Sequence, residues 1–205
     1  HRRDCRKYAE IHYIKGVLEV ENTYEIKIAG LTRSLPLCRV NDNLYIGAFV
    51  MFGDVEITEA AARELLAMAP EYDIMITAES KGIPLLYEMA RQSGADHYIV
   101  ARKGPKLYMQ DLHTTYVNSI TTETRQMLCI SGDDSKAMQG KRVLIVDDVI
   151  STGESLTALE TLVREVGGTV AGRMAVLAEG DAIGRKDIRY LAPLPLFHPD
   201  GTPKG

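Results

Sequence analysis

The chain has 205 residues, 45% hydrophobic and 25% charged, and its 24 basic and 28 acidic side chains give a formal charge of −4. That balance excludes a mainly disordered chain, a collagen and a coiled coil, and it disfavours a protein built to wrap nucleic acid or coat an anionic membrane. No apolar run reaches the ~18–20 residues that span a bilayer, and the opening His1-Arg2-Arg3-Asp4-Cys5 lacks the apolar stretch of a secretory signal. Cys5, Cys38 and Cys129 lie far apart. They form neither a disulfide framework nor a zinc pattern and read as reduced thiols of a cytoplasmic protein.

Residues 1–12 predict a short helix. Val17–Val20 and Tyr24–Ile28 alternate with period two around Glu21-Asn22-Thr23 and predict a hairpin. A further strand is predicted over Leu44–Val50, so the first fifty residues read as β-rich and local. From Thr58 the texture changes. Thr58 is read as the N-cap of a helix over Glu59–Ala69, which Pro70 ends. Asp73–Ala78 predicts a buried strand, Ile83–Ser93 a helix closed by Gly94, and His97–Ala101 the next strand. A polar segment, Arg102–His113, leads into two strand candidates within Tyr116–Ile130. Val143–Val146 is the strongest strand signal, followed by a tight polar loop, a helix over Ser155–Val166 stopped by Gly167-Gly168, and a strand over Thr169–Ala178. Strands alternating with helices at this spacing predict a parallel sheet covered by helices, with ligands at the carboxyl ends of the strands. The loops after Ala78, Ala101 and Val146 are therefore the places where chemistry is expected.

The loop after Val146 carries the clearest signal. Asp147 and Asp148 are adjacent carboxylates at a strand end, where they repel and are costly to desolvate. A metal or the hydroxyls of a ligand would compensate them. Ser151-Thr152-Gly153-Glu154-Ser155 follows at a helix start. Free N–H groups, hydroxyl side chains and a glycine there make an anion cradle suited to phosphate. A capped helix after a buried strand would explain the hydroxyls but not the two acids. Acids beside a phosphate cradle fit a sugar phosphate. The other two loops are basic. Lys81-Gly82 precedes a helix with Pro84 in its first turn, and Arg102-Lys103-Gly104-Pro105-Lys106-Leu107 places three cations within five residues. Each also fits a plain turn with solvated cations. No Gly-Lys-Ser/Thr triplet follows Gly153 and no GxGxxG occurs, which excludes the common nucleotide loops.

Residues 143–155 resemble the 5-phosphoribosyl-1-pyrophosphate (PRPP) signature of the type I phosphoribosyltransferases: four apolar residues, two acids, two apolar residues, then a hydroxyl-rich loop with glycine. Arg102-Lys103-x-x-Lys106-Leu107 resembles the opening of the catalytic loop in the adenine-type purine members, and the likeness runs over residues 44–197. The resemblance implies an α/β fold, a mostly parallel sheet flanked by helices. Residues 51–205 would be the PRPP-binding core and residues 1–50 a β-rich hood over the base. It implies Asp147 and Asp148 on the ribose hydroxyls, and Ser151, Thr152, Gly153, Glu154 and Ser155 on the 5′-phosphate. Ser80, Lys81 and Gly82 would take the diphosphate, with a non-proline cis peptide expected within Glu79-Ser80-Lys81. Arg102, Lys103 and Lys106 would neutralise the leaving group. Glu123, the only acid within Thr114–Glu123, is the acid/base candidate, and Phe49 and Phe52 are candidates to stack on the base.

The implied reaction is transfer of the phosphoribosyl group of PRPP to a purine, adenine first, with Mg²⁺ as cofactor and release of pyrophosphate and a nucleoside monophosphate. The implied protein is a cytoplasmic homodimer without nucleic-acid or membrane partners. No protein residue is implied as the metal's certain direct ligand; the ion would come with PRPP and meet Asp147 or Asp148 through water. A 6-oxopurine acceptor and a non-catalytic PRPP-binding regulator are the alternatives.

Overall fold

The computed structural model describes residues 23–118 and 125–204. The helix expected over residues 1–12 and the strand over Val17–Val20 lie outside them.

Three strands open the described chain: β1 (Thr23–Ile28), β2 (Leu31–Asn41) and β3 (Leu44–Gly47). They form an antiparallel meander in the order β1-β2-β3. β2 is not among the predicted strands, because Pro36 lacks the N–H a strand interior needs. The structure seats Pro36 opposite Thr23, at the end of the β1 ladder, and its carbonyl accepts from Ala48 N (2.9 Å). β3 is shorter than the predicted Leu44–Val50.

Helix α1 (Val55–Met68) begins earlier than expected. Asp54, not Thr58, is the N-cap, accepting from Ile57 N at 3.1 Å, while Thr58 Oγ1 donates back to Asp54 O at 2.7 Å. Both residues are good cap formers, and the β-branched Val55 and Ile57 between them hid the first turn. Asp54 also receives a fork from Arg33 (2.6 and 3.0 Å), which ties β2 to the helix start.

Next come β4 (Ile74–Ala78), α2 (Ile83–Ser93) and β5 (Ile99–Ala101). The antiparallel pair β6 (His113–Asn118) and β7 (Arg125–Ile130) and the short α3 (Gly132–Met138) follow. The chain continues through β8 (Arg142–Ile150), α4 (Glu154–Glu165), β9 (Thr169–Glu179) and β10 (Arg189–Leu194). The central sheet has five parallel strands in the order β10-β9-β8-β4-β5. β4 is buried along its whole length, as a central parallel strand must be.

The period-two alternation of β8 feeds two cores. Leu144 and Val146 pack with Leu85, Leu86 and Met89 of α2 and with Ile57, Ala61 and Leu65 of α1. Val143 and Ile145 pack with Leu156, Leu159, Leu162 and Val163 of α4. Helices α1 and α2 therefore cover one face and α4 the other. The meander joins the α1–α2 side through Ile26, Ile28 and Leu35, beside Leu194 and Phe197. Tyr45 and Phe197 exchange backbone hydrogen bonds (3.0 and 2.9 Å), and the Tyr24 and Phe197 rings meet edge to face at 4.9 Å. No helix among the described residues is long and apolar enough to cross a membrane.

Candidate active site

The strand expected over Val143–Val146 runs on through the acids to Ile150, so Asp147 and Asp148 sit within the sheet's carboxyl edge rather than in a free loop. Asp148 is 4% exposed. Its Oδ2 is fully buried and lacks a hydrogen bond of proper geometry, although Lys81 Nζ stands 2.9 Å away. Asp147 is half-buried and accepts from the Asp148 backbone N–H at 2.9 Å. Desolvation first, and then the neighbouring Asp148, push the Asp147 carboxyl well above the usual carboxylate range.

Gly153 caps α4 in the left-handed conformation (φ 81°), which a residue with Cβ adopts only at a cost. At this turn lies a small cavity of about 100 Å³ bounded in part by Asp147, Ser151, Thr152, Gly153, Glu154 and Ser155. Asp147 and the 151–155 turn are thus walls of one space. Glu179, at the end of β9, is 8% exposed beside it. Burial pushes its carboxyl up, and a hydrogen bond with the Ser151 hydroxyl pulls the other way.

The loop after β4 closes the other side. The Glu79–Ser80 peptide is cis, within the stretch where the resemblance implied one. Gly82 is packed so tightly that a Cβ would come within 2.3 Å of Thr77 Oγ1 and 3.2 Å of Asp147 Oδ1. Only glycine lets the start of α2 approach the acid pair this closely. Ser80 O accepts from Ile83 N at 3.2 Å as the chain turns into that helix.

The basic segment after β5 is gathered around Glu79, a residue that sequence reading did not single out. Lys103 N donates to Glu79 Oε2 at 3.2 Å; Lys106 Nζ is 3.6 Å and an Arg102 guanidinium nitrogen 3.9 Å from its carboxylate. Arg102 is fixed by a backbone exchange with Cys129 (2.8 Å both ways) and donates to the Tyr108 hydroxyl at 2.9 Å. A larger cleft of about 460 Å³ runs past Tyr98, Arg102, Tyr108 and Asp134, and neither acid of the pair lines it.

The structure brings Lys81, Gly82, Asp147, Asp148 and residues 151–155 together. It does not join Phe49 and Phe52. Phe49 is 5% exposed and belongs to the core beneath α1, so its ring fills the core instead of facing a ligand; Phe52 is 52% exposed. Glu123 lies outside the described residues. Glu79, Glu179 and Arg185 acquire their places from tertiary contacts, and no local motif marks them.

A five-stranded parallel sheet with paired acids and a hydroxyl-rich, glycine-capped turn at its carboxyl edge has the architecture of α/β proteins that bind ligands at their strand ends. Residues 53–192 match the model of the phosphoribosyl transferase domain family, and the chain belongs to that family of transferase enzymes. It is 31% identical over 137 residues to an adenine phosphoribosyltransferase of Rhodococcus jostii, covering 67% of this chain and 74% of that protein. Against the adenine phosphoribosyltransferase of Bifidobacterium longum subsp. infantis the identity is 29% over 178 residues, covering 82% and 89%. Among solved structures, the adenine phosphoribosyltransferase of Thermoanaerobacter pseudethanolicus shares the fold at a TM-score of 0.60 and 21% identity, over 84% of this chain and 95% of that one.

Proposed function

We propose that this transferase moves the phosphoribosyl group of PRPP to adenine, giving AMP and pyrophosphate in purine salvage. The observation that carries the reading is the convergence at one sheet edge of the 151–155 turn, which shares a cavity with Asp147, and the Lys81-Gly82 turn, which meets Asp148 and Asp147. The acids accept from ribose hydroxyls, the cradle takes the 5′-phosphate, and Lys81 with Arg102, Lys103 and Lys106 takes the diphosphate. The base nitrogen attacks C1′ as the C1′–diphosphate bond breaks, and the attacking N–H gives up its proton. A transition state of this kind needs positioning and neutralised charge and no protein nucleophile. The names of the relatives favour adenine.

Among the described residues no three His, Cys, Asp or Glu side chains are arranged to hold a metal by themselves. The buried, unsatisfied Asp148 Oδ2 and its neighbour Asp147 fit a magnesium ion brought in on the diphosphate. When bound, that ion neutralises the leaving group. The same reading makes the protein a cytoplasmic homodimer. Residues 1–50 serve as its hood and 51–205 as its PRPP-binding core, with the meander lying over the base.

Pyrophosphate release measured with PRPP, Mg²⁺ and adenine, hypoxanthine, guanine, xanthine or orotate tests the proposal. Adenine is expected to have the highest kcat/KM. A kcat/KM about tenfold or more higher for a 6-oxopurine than for adenine, 1.4 kcal/mol, would falsify the choice of adenine. Tight PRPP binding with no release on any base would make the protein a regulator.

A further inference from the structure

We propose that Arg185 is a specificity residue for the phosphorylated end of the pentose, the cation that the 151–155 cradle itself lacks. This rests on the function proposed above and adds a ligand to its phosphate subsite. A 5′-phosphate carries close to two negative charges, and the charged side chain within residues 151–155 is Glu154, an acid. Asp147 borders the same space, and Glu179 is hydrogen-bonded with Ser151 beside it. Lys81, the nearby cation, is engaged by Asp148 at 2.9 Å. The helix N-terminus offers only partial positive charge, so a dianion there gains from a full positive charge nearby.

Arg185 meets the need by position. It follows the 3-10 turn Gly180–Ala182 after β9, and its N–H donates to Ala182 O at 3.2 Å. The guanidinium is held by a fork to Asp187, with Nε to Oδ1 at 3.0 Å and Nη2 to Oδ2 at 2.6 Å. Nη1 is then the nitrogen turned to the cradle: a Cβ on Gly153 would lie 2.8 Å from it. The contact is possible only because residue 153 is glycine, so the residue that forms the phosphate turn also admits the arginine. A guanidinium aimed by a fork offers its remaining N–H groups in a fixed plane that matches phosphate oxygens. Arg185 is 34% exposed on its side chain, so a ligand can reach it.

The test is calorimetric titration with three probes: PRPP, ribose 5-phosphate and inorganic pyrophosphate. Arg185→Ala is expected to weaken ribose 5-phosphate and PRPP at least about tenfold while leaving pyrophosphate unchanged, because the Lys81-Gly82 turn is untouched. Arg185→Lys is expected to recover part of the loss, as a point charge without the fork. Should Arg185→Ala fail to fold, seen as loss of all three probes with a collapsed thermal transition, Arg185→Lys decides by the same comparison. Unchanged ribose 5-phosphate affinity, or an equal loss of pyrophosphate in a folded variant, overturns the assignment to Arg185 alone. Wild-type protein that binds neither PRPP nor ribose 5-phosphate overturns the functional reading and this inference together.

Discussion

Lys81 Nζ stands 2.9 Å from Asp148 Oδ2, so the turn that precedes α2 is tied by charge to the acid pair at the end of β8. The two residues come from different βα units, and the pair forms because Gly82 lets the turn approach within contact of Asp147. On the proposed function, a ribose hydroxyl arriving at Asp148 would have to share or displace that ammonium, and occupancy of the sugar site would then be linked to the freedom of Lys81 toward the diphosphate.

Lys81→Met is therefore expected to lower both stability and turnover. It leaves Asp148 buried without a counter-charge, a loss of about 1–3 kcal/mol, and removes a donor to the leaving group worth roughly a hundredfold in kcat/KM. Adding Asp148→Asn should restore the thermal transition and leave the activity low. A double variant no more stable than Lys81→Met would show that the ion pair is not what holds the turn.

The acid pair should be dispensable for folding and required for transfer. Asp147→Ala or Asp148→Ala removes an acceptor from the ribose and should cost on the order of 2–4 kcal/mol in the transition state. The sign of the stability effect follows from the raised Asp147 carboxyl. A group whose folded pKa lies above its unfolded value is stabilising at low pH, and that contribution fades as pH rises from near the ordinary carboxylate value to the folded pKa. Asp147→Asn should thus melt higher than wild type at neutral to alkaline pH, with the gap closing near pH 4. An unchanged gap across that window, read by calorimetry, would count against a raised carboxyl.

Gly153→Val should abolish PRPP binding while the circular dichroism spectrum stays that of the folded protein. The φ of 81° and the Arg185 nitrogen 2.8 Å from the added carbon both oppose a side chain. Undiminished binding in calorimetry would place the anion elsewhere.

Acid stability should depend on Asp73. Its carboxylate receives the Arg142 guanidinium and backbone N–H (2.9 and 2.7 Å), which lower its pKa to about 2. A depressed carboxyl contributes above its unfolded pKa, and that contribution is lost as pH falls through the folded value. Asp73→Asn should flatten the part of the melting-temperature curve between about pH 4 and pH 2. A wild-type slope in the variant would refute this.

The βα units were legible because their signals are redundant. Ile83–Ser93 has Pro84 at its start and Gly94, in the left-handed region, at its end, and the apolar run before Asp147 could hardly be other than a buried strand. The acid pair and the hydroxyl-rich turn were likewise marked by local sequence, whereas the Glu79–Ser80 cis bond was expected only through the family resemblance. What escaped was set by tertiary contact. β2 reads as an interrupted strand until Thr23 is placed opposite Pro36. α3, seven residues beginning Gly-Asp-Asp, is held by the Ser131 cap, which accepts from Asp134 N at 3.2 Å. Phe49 could equally have faced a ligand or the core, and only the packing of α1 decides for the core. Glu79 gathers its cations from a segment more than twenty residues away.

The exchange between Tyr45 and Phe197 also bears on how the molecule is made. The meander is synthesised before the surface that receives Ile28 and Leu35, which includes Leu194 and Phe197. During vectorial synthesis those apolar side chains have no complete docking surface until translation has passed residue 197. The nascent chain thus carries an incompletely buried apolar sheet until then. An early segment pinned to a late one is, by this arrangement, left open to aggregation and to chaperone capture during synthesis.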